Sequence, residues 1–118
     1  MGPMRTLNRC ALIVQPGEAF ITWAAALSGE SEAAVRTELL GSEPSVYLLP
    51  ESDAADLADP QVLRGSWQGI FKAELYAWCT DQSTWPKHRT EAQFRAWFQL
   101  AYASLVYELG SEPLKLDL

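Results

Sequence analysis

Apolar and polar positions change period several times along this chain, and each change marks an element. Cys10-Ala11-Leu12-Ile13-Val14 is apolar without alternation, the pattern of a strand covered on both faces in the middle of a sheet. That strand is expected over residues 8–15, and Pro16-Gly17 breaks it. Phe20, Trp23, Ala24 and Leu27 then recur at i, i+3, i+4 and i+7, which makes one helical stripe. Gly29 suits its C-terminal cap. Ser31 reads as the N-cap of a second helix through residue 40, with Glu32 in its first turn and Val35 and Leu39 facing inward.

After the Ser42-Glu43-Pro44 turn, residues 45–49 read as a second buried strand closed by Pro50. Residues 51–59 are acidic and alanine-rich, a loop or one helical turn, and Pro60 suits the first position of a longer helix over 60–79. At about 100° per residue, Leu63, Trp67, Ile70, Phe71, Leu75 and Trp78 gather on one side of it. Gly65 and Gly69, four apart, suggest close packing against a neighbour. A loop ending in Trp85-Pro86 follows, then a capping box of Thr90 and Gln93, with Phe94, Trp97 and Phe98 turned inward.

Residues 98–109 fit two patterns. Phe98, Leu100 and Tyr102, then Leu105, Tyr107 and Leu109, alternate as a strand with a slip near Ala103-Ser104. Phe94, Phe98, Ala101, Leu105 and Leu109 also form a helical stripe ended by Gly110. The strand is preferred, because two strands alone make a poor sheet. The expectation is an α+β domain, a small three-stranded sheet with helices packed on it, in the order β-α-α-β-α-α-β.

A length of 118 residues suits one domain spanning 1–118, with irregular ends over 1–7 and 111–118. Five Trp, four Tyr and four Phe in a chain that is 48% hydrophobic supply the large groups of a real core. Nine basic against fifteen acidic residues leave a net charge of −6. Phosphate-tracking surfaces need clustered Lys and Arg, so neither nucleic acid nor an anionic membrane surface is an expected partner. Cys10 and Cys79 form no CxxC and sit in no metal-ligand spacing. The apolar run at 10–14 is too short for a signal core or a membrane span, and a cytoplasmic location is the expectation.

No catalytic, metal or cofactor signature stands out. Gly65-Ser66-Trp67-Gln68-Gly69 lacks the lysine of a phosphate loop. His88, the one histidine, lies between Lys87 and Arg89 and reads as an exposed loop residue. Asp53, Asp56 and Asp59 lack calcium-loop spacing and read as an acidic turn.

Glu74 is out of pattern, a carboxylate near the centre of the apolar stripe. Such a group has a partner or a raised pKa. One reading is a buried ion pair with Arg9, Arg89 or Arg95; the other is a pocket carboxylate framed by Trp67, Trp78 and Trp85, holding a cationic or hydrogen-bonding ligand. Trp85-Pro86 and Arg89 are the second place to look, as a rigid aromatic with an arginine able to clamp a carboxylate. The candidate ligand-binding set is therefore Glu74, Arg89, Trp85, Trp67 and Trp78.

Spaced landmarks accompany these patterns: Asn8-Arg9-Cys10-Ala11, Val46-Tyr47-Leu48-Leu49-Pro50-Glu51, Ile70-Phe71 with Glu74-Leu75 and Trp78, then Asp81, Trp85-Pro86, Arg89 and Trp97-Phe98. With these the chain resembles a family of small bacterial proteins of unassigned function. The resemblance implies a bacterial source and no activity. The functional expectation is a non-enzymatic interaction module that binds a partner protein or its own copy. The alternative is a small-molecule binder or acid-base enzyme built around Glu74.

Overall fold

A computed structural model describes residues 4–117. The order is β1 (Arg5–Thr6), β2 (Arg9–Pro16), α1 (Glu18–Ser28), α2 (Glu32–Leu40), β3 (Ser45–Pro50), α3 (Trp67–Trp78), a 3-10 turn (Gln82–Thr84), α4 (Glu91–Trp97), β4 (Phe98–Ala103) and β5 (Tyr107–Glu108). The class is α+β with four helices, as the sequence patterns suggest, but the strands make two antiparallel sheets rather than one. The larger has the order β3-β2-β4, and β1 pairs with β5 in a two-stranded ribbon.

The apolar run 10–14 does lie on the central strand. Its residues alternate between the helical layer and the opposite face of the sheet, where Ala11 is still buried and Ile13 half-buried. Cys10, Leu12 and Val14 face inward in register with Leu49, Tyr47 and Ser45 of β3, and Leu12 and Val14 also with Tyr102 and Leu100 of β4. There they meet Phe20, Ile21, Phe71, Leu75 and Phe94 in the helical layer. Each such fully buried side chain contributes roughly 1.5–3 kcal/mol relative to exposure. Phe71, Phe94 and Phe98 hold their ring centroids 5.2–5.7 Å apart in tilted or edge-on pairs, the geometry that aromatic quadrupoles prefer.

The other face carries Ala11 and Ile13 of β2, Val46 and Leu48 of β3, and Ala101 and Ala103 of β4. Among the described residues no helix covers it: Val46 is 60% and Leu48 52% exposed. β3 is thus a half-exposed edge strand, not the buried strand expected from its apolar run. Side-chain alternation alone decides this, since helices on only one side leave every second residue in water.

Several boundaries move for identifiable reasons. The helix expected from Pro60 begins at Trp67 instead. Residues 57–66 form consecutive turns, in which the Asp59 carboxylate accepts the Gln61 N–H at 3.0 Å and Leu63 O accepts from Ser66 and Trp67. Asx turns of this kind compete with helix nucleation. Gly65 and Gly69 provide no close approach, because a Cβ at either would meet nothing within 4 Å. The strand alternative holds for residues 98–103. The slip near Ala103-Ser104 is a full break, after which Tyr107–Glu108 leaves for the ribbon with Arg5–Thr6. Residues 5–6 are therefore not irregular, while residues 1–3 and 118 lie outside the described residues.

Caps fall largely where the sequence places them. Ser31 Oγ accepts the Ala34 N–H and Thr90 Oγ1 the Gln93 N–H, both at 3.1 Å, and Gly29 closes α1 at φ +74°. The reciprocal Gln93 half of a capping box is not made among the described residues. Gly17 is held by a different requirement. Its N–H donates to Trp97 O at 2.8 Å, and a Cβ there would lie 2.7 Å from the same oxygen. The corner between β2 and α1 thereby locks onto the junction of α4 and β4.

The molecule is extended for its mass. It spans 52 × 29 × 26 Å with a radius of gyration of 16.3 Å, against about 13–14 Å for a compact chain of this length. It exposes 8017 Å², against about 6,400 Å² for a monomer of 13.1 kDa. The open sheet face and the segment 104–117, whose Leu105, Tyr107, Leu109, Leu114 and Leu116 are exposed, contribute to the excess.

Candidate functional site

Glu74 sits in the third turn of α3, half-buried, and faces the end of β3. Its Oε2 accepts from Tyr47 Oη at 2.5 Å and from Ser45 Oγ at 3.1 Å. Ser45 and Tyr47 are two apart on β3, so the pleat turns both hydroxyls toward the helix. A 2.5 Å contact from hydroxyl to carboxylate has the length of a charge-assisted hydrogen bond. Burial first, then this bond and the carboxylate's charge, push the Tyr47 hydroxyl well above the usual tyrosine range, with Ser45 opposing.

None of the expected arginines reaches Glu74. Arg9 donates to Asn8 O, Arg89 to Pro86 O, and Arg95 to Glu91 and Leu57 O. The carboxylate's partners are two neutral hydroxyls. Beside it lies a cleft of about 180 Å³ with Phe20, Leu39 and Trp78 as apolar walls and Glu43 and Ser42 at its polar side. Trp78 is locked in place by its indole N–H, which donates to Ala24 O at 3.2 Å.

The five candidate residues do not meet at one place. Glu74 and Trp78 share the cleft just described. Trp67 and Arg89 line a second one, of about 290 Å³, with Gln68, Lys72 and His88. Trp67 and Glu74 share a side of α3, but seven residues separate them along the axis by about 10 Å. Trp85 is nearly buried; its indole N–H donates to Cys79 O at 2.9 Å, and Arg89 lies over its ring with Cζ 5.8 Å from the centroid. Its outer edge joins Trp23, Pro86 and Trp97 in a shallow, open apolar surface.

Sequence reasoning missed Ser45 and Tyr47. Their signal was present as the period-2 spacing of Ser45, Tyr47 and Leu49, and it was masked by Val46 and Leu48 between them. Tyr102 was missed as well. It reaches over β2 to donate to Ala54 O at 3.2 Å, and the nearby Cys10 thiol, then burial, hold its hydroxyl above the usual tyrosine range. Cys10 is buried and Cys79 half-buried, both as free thiols.

Among the described residues no group of three His, Cys, Asp or Glu side chains is placed to hold a metal ion. No helix among them is long and apolar enough to cross a membrane. No family model, curated protein or solved structure matches this chain.

Proposed function

We propose that this domain is a non-enzymatic protein-interaction module, cytoplasmic and bacterial, whose first partner is a second copy of itself. The observation that carries the reading is the uncovered sheet face. Val46, Leu48, Ala101 and Ala103 are exposed on it, on either side of half-buried Ile13 and buried Ala11, and its rows hold no carboxylate among the described residues. The chain has fifteen acidic residues, so this face escapes the self-repulsion that a net charge of −6 imposes elsewhere. A second copy is the occupant we assign to it. The surface in excess of a compact monomer is roughly 1,600 Å² per chain, about twice what a standard interface removes from each partner, so pairing over this face accounts for part of that excess and the 104–117 segment for the rest. Two such faces packing across a twofold axis make a sandwich in which each patch meets itself.

The test is the mass in solution by light scattering, for the native chain and for the Val46→Glu/Leu48→Glu variant. The native chain is expected as a dimer and the variant as a folded monomer with unchanged circular dichroism. A native chain that stays monomeric at about 100 µM, a concentration where even a modest dimer forms, overturns the proposal.

A second reading rests on the Glu74 cleft. Its carboxylate has hydroxyl partners and no guanidinium, its apolar walls include the aromatic Phe20 and Trp78, and Glu43 adds a second charge. That combination suits a small organic ammonium ion. Glu74→Gln is then expected to abolish stabilisation by such amines while the fold survives.

A further inference from the structure

The second cleft brings basic side chains together on an acidic molecule. Lys72 on α3 and His88 and Arg89 in the loop before α4 line it together, with Trp67 and Gln68. The chain has nine Lys and Arg and a single His. Two of the nine and that histidine converge here, and among the described residues no carboxylate lines the cleft. Among the described residues none of the three makes an ion pair; the salt bridges are Arg36–Glu18 and Arg95–Glu91. Bringing the unpaired Lys72 and Arg89 together costs Coulomb energy unless an anion joins them.

The donors are held ready. Arg89 Nη1 is fixed on Pro86 O at 2.8 Å and its guanidinium rests over the buried Trp85 ring, leaving the rest of the fork free. An arginine already immobilised loses less freedom on binding. The indole N–H groups of Trp23, Trp78 and Trp85 are used within the fold, whereas those of Trp67 and Trp97 have no partner among the described residues, and of these two only Trp67 lines this cleft. His88 is the one non-glycine described residue with positive φ, at 55°. A histidine held in the left-handed region stores about 1 kcal/mol or more of backbone strain, and such strain gathers at binding sites.

We propose that this cleft binds the phosphate group of a small phosphorylated metabolite. Lys72 and Arg89 neutralise a dianion, and Trp67 Nε1, the Gln68 amide and His88 donate to its oxygens. The volume of about 290 Å³ exceeds that of inorganic phosphate and leaves room for a small organic group, at the lower end of known ligand pockets. Nothing in this site depends on dimerisation.

The experiment is an NMR titration of the full chain with phenyl phosphate, inorganic phosphate and benzoate. Saturable shifts are expected at Trp67 Nε1–H, His88 and Arg89, with both phosphates binding more tightly than benzoate. Lys72→Glu is expected to weaken phenyl phosphate by at least about tenfold; Lys72 is exposed on α3, so the fold should survive. His88→Gly relieves the positive φ and serves as a second variant, which should keep or raise stability yet lose affinity. Shifts spread evenly over the surface, equal binding of benzoate, or full affinity in both variants would each overturn the proposal.

Discussion

The Tyr47 hydroxyl and the Glu74 carboxylate meet at 2.5 Å, so the edge strand of the larger sheet is tied to α3 by a polar contact. Ser45 adds a second hydroxyl to the same oxygen. The arrangement keeps a carboxylate in an apolar wall by giving it donors that carry no charge of their own. It also leaves Glu74 beside an open cleft rather than sealed in an ion pair.

Removing that contact should be measurable. Tyr47→Phe is expected to cost about 1–2 kcal/mol in urea denaturation at neutral pH, the range for a hydrogen bond to a charged group at a half-exposed site. A double-mutant cycle with Glu74→Gln should show coupling of the two side chains.

The same pair predicts an alkaline limit. In the folded protein the Tyr47 hydroxyl holds its proton more tightly than in the unfolded chain, where tyrosine titrates near 10. Its contribution is therefore complete below about pH 10, and above that unfolding releases a proton and stability falls. Urea midpoints between about pH 8 and pH 11 should drop more steeply for the native chain than for Tyr47→Phe. Equal slopes would exclude the linkage.

Two glycines should respond in opposite directions. Gly17→Ala drives a Cβ to 2.7 Å from the Trp97 carbonyl oxygen, and the backbone must shift at a cost of about 1–3 kcal/mol. Gly69 lies inside α3 with open space around its Cα. Gly69→Ala should stabilise by roughly 0.5–1 kcal/mol through helix propensity. Thermal melts of the two variants beside the native chain separate these effects.

How much was legible follows the range of each interaction. Ser31, Gly29 and Thr90 were readable as caps because each acts within four residues of itself. The helical stripe from Ile70 to Trp78 was readable because its period is local too. The start of α3 was not. Asp59 and its turn compete with the helix, and Leu63 reaches the core from a run of turns instead.

The candidate site divides in the same way. Glu74 is conspicuous in the sequence because a carboxylate interrupts an apolar face, and that anomaly is local. Its partners are not: Tyr47 lies 27 residues away on a strand whose apolar neighbours hid the alternation. Arg89 and Trp67 were singled out, but the cleft they share with Lys72 and His88 exists only because the loop before α4 returns to the amino end of α3.

The sequence by itself determined the α+β class, the central strand, most of the caps and the oddity of Glu74, because periodicity and capping are written within a few residues. Only the tertiary structure decided which side of the sheet is covered, which hydroxyls hold Glu74, and which cations gather around Trp67. Those depend on contacts between segments far apart in the chain, and a run such as Val46-Tyr47-Leu48-Leu49 reads identically whether helices cover one face or both.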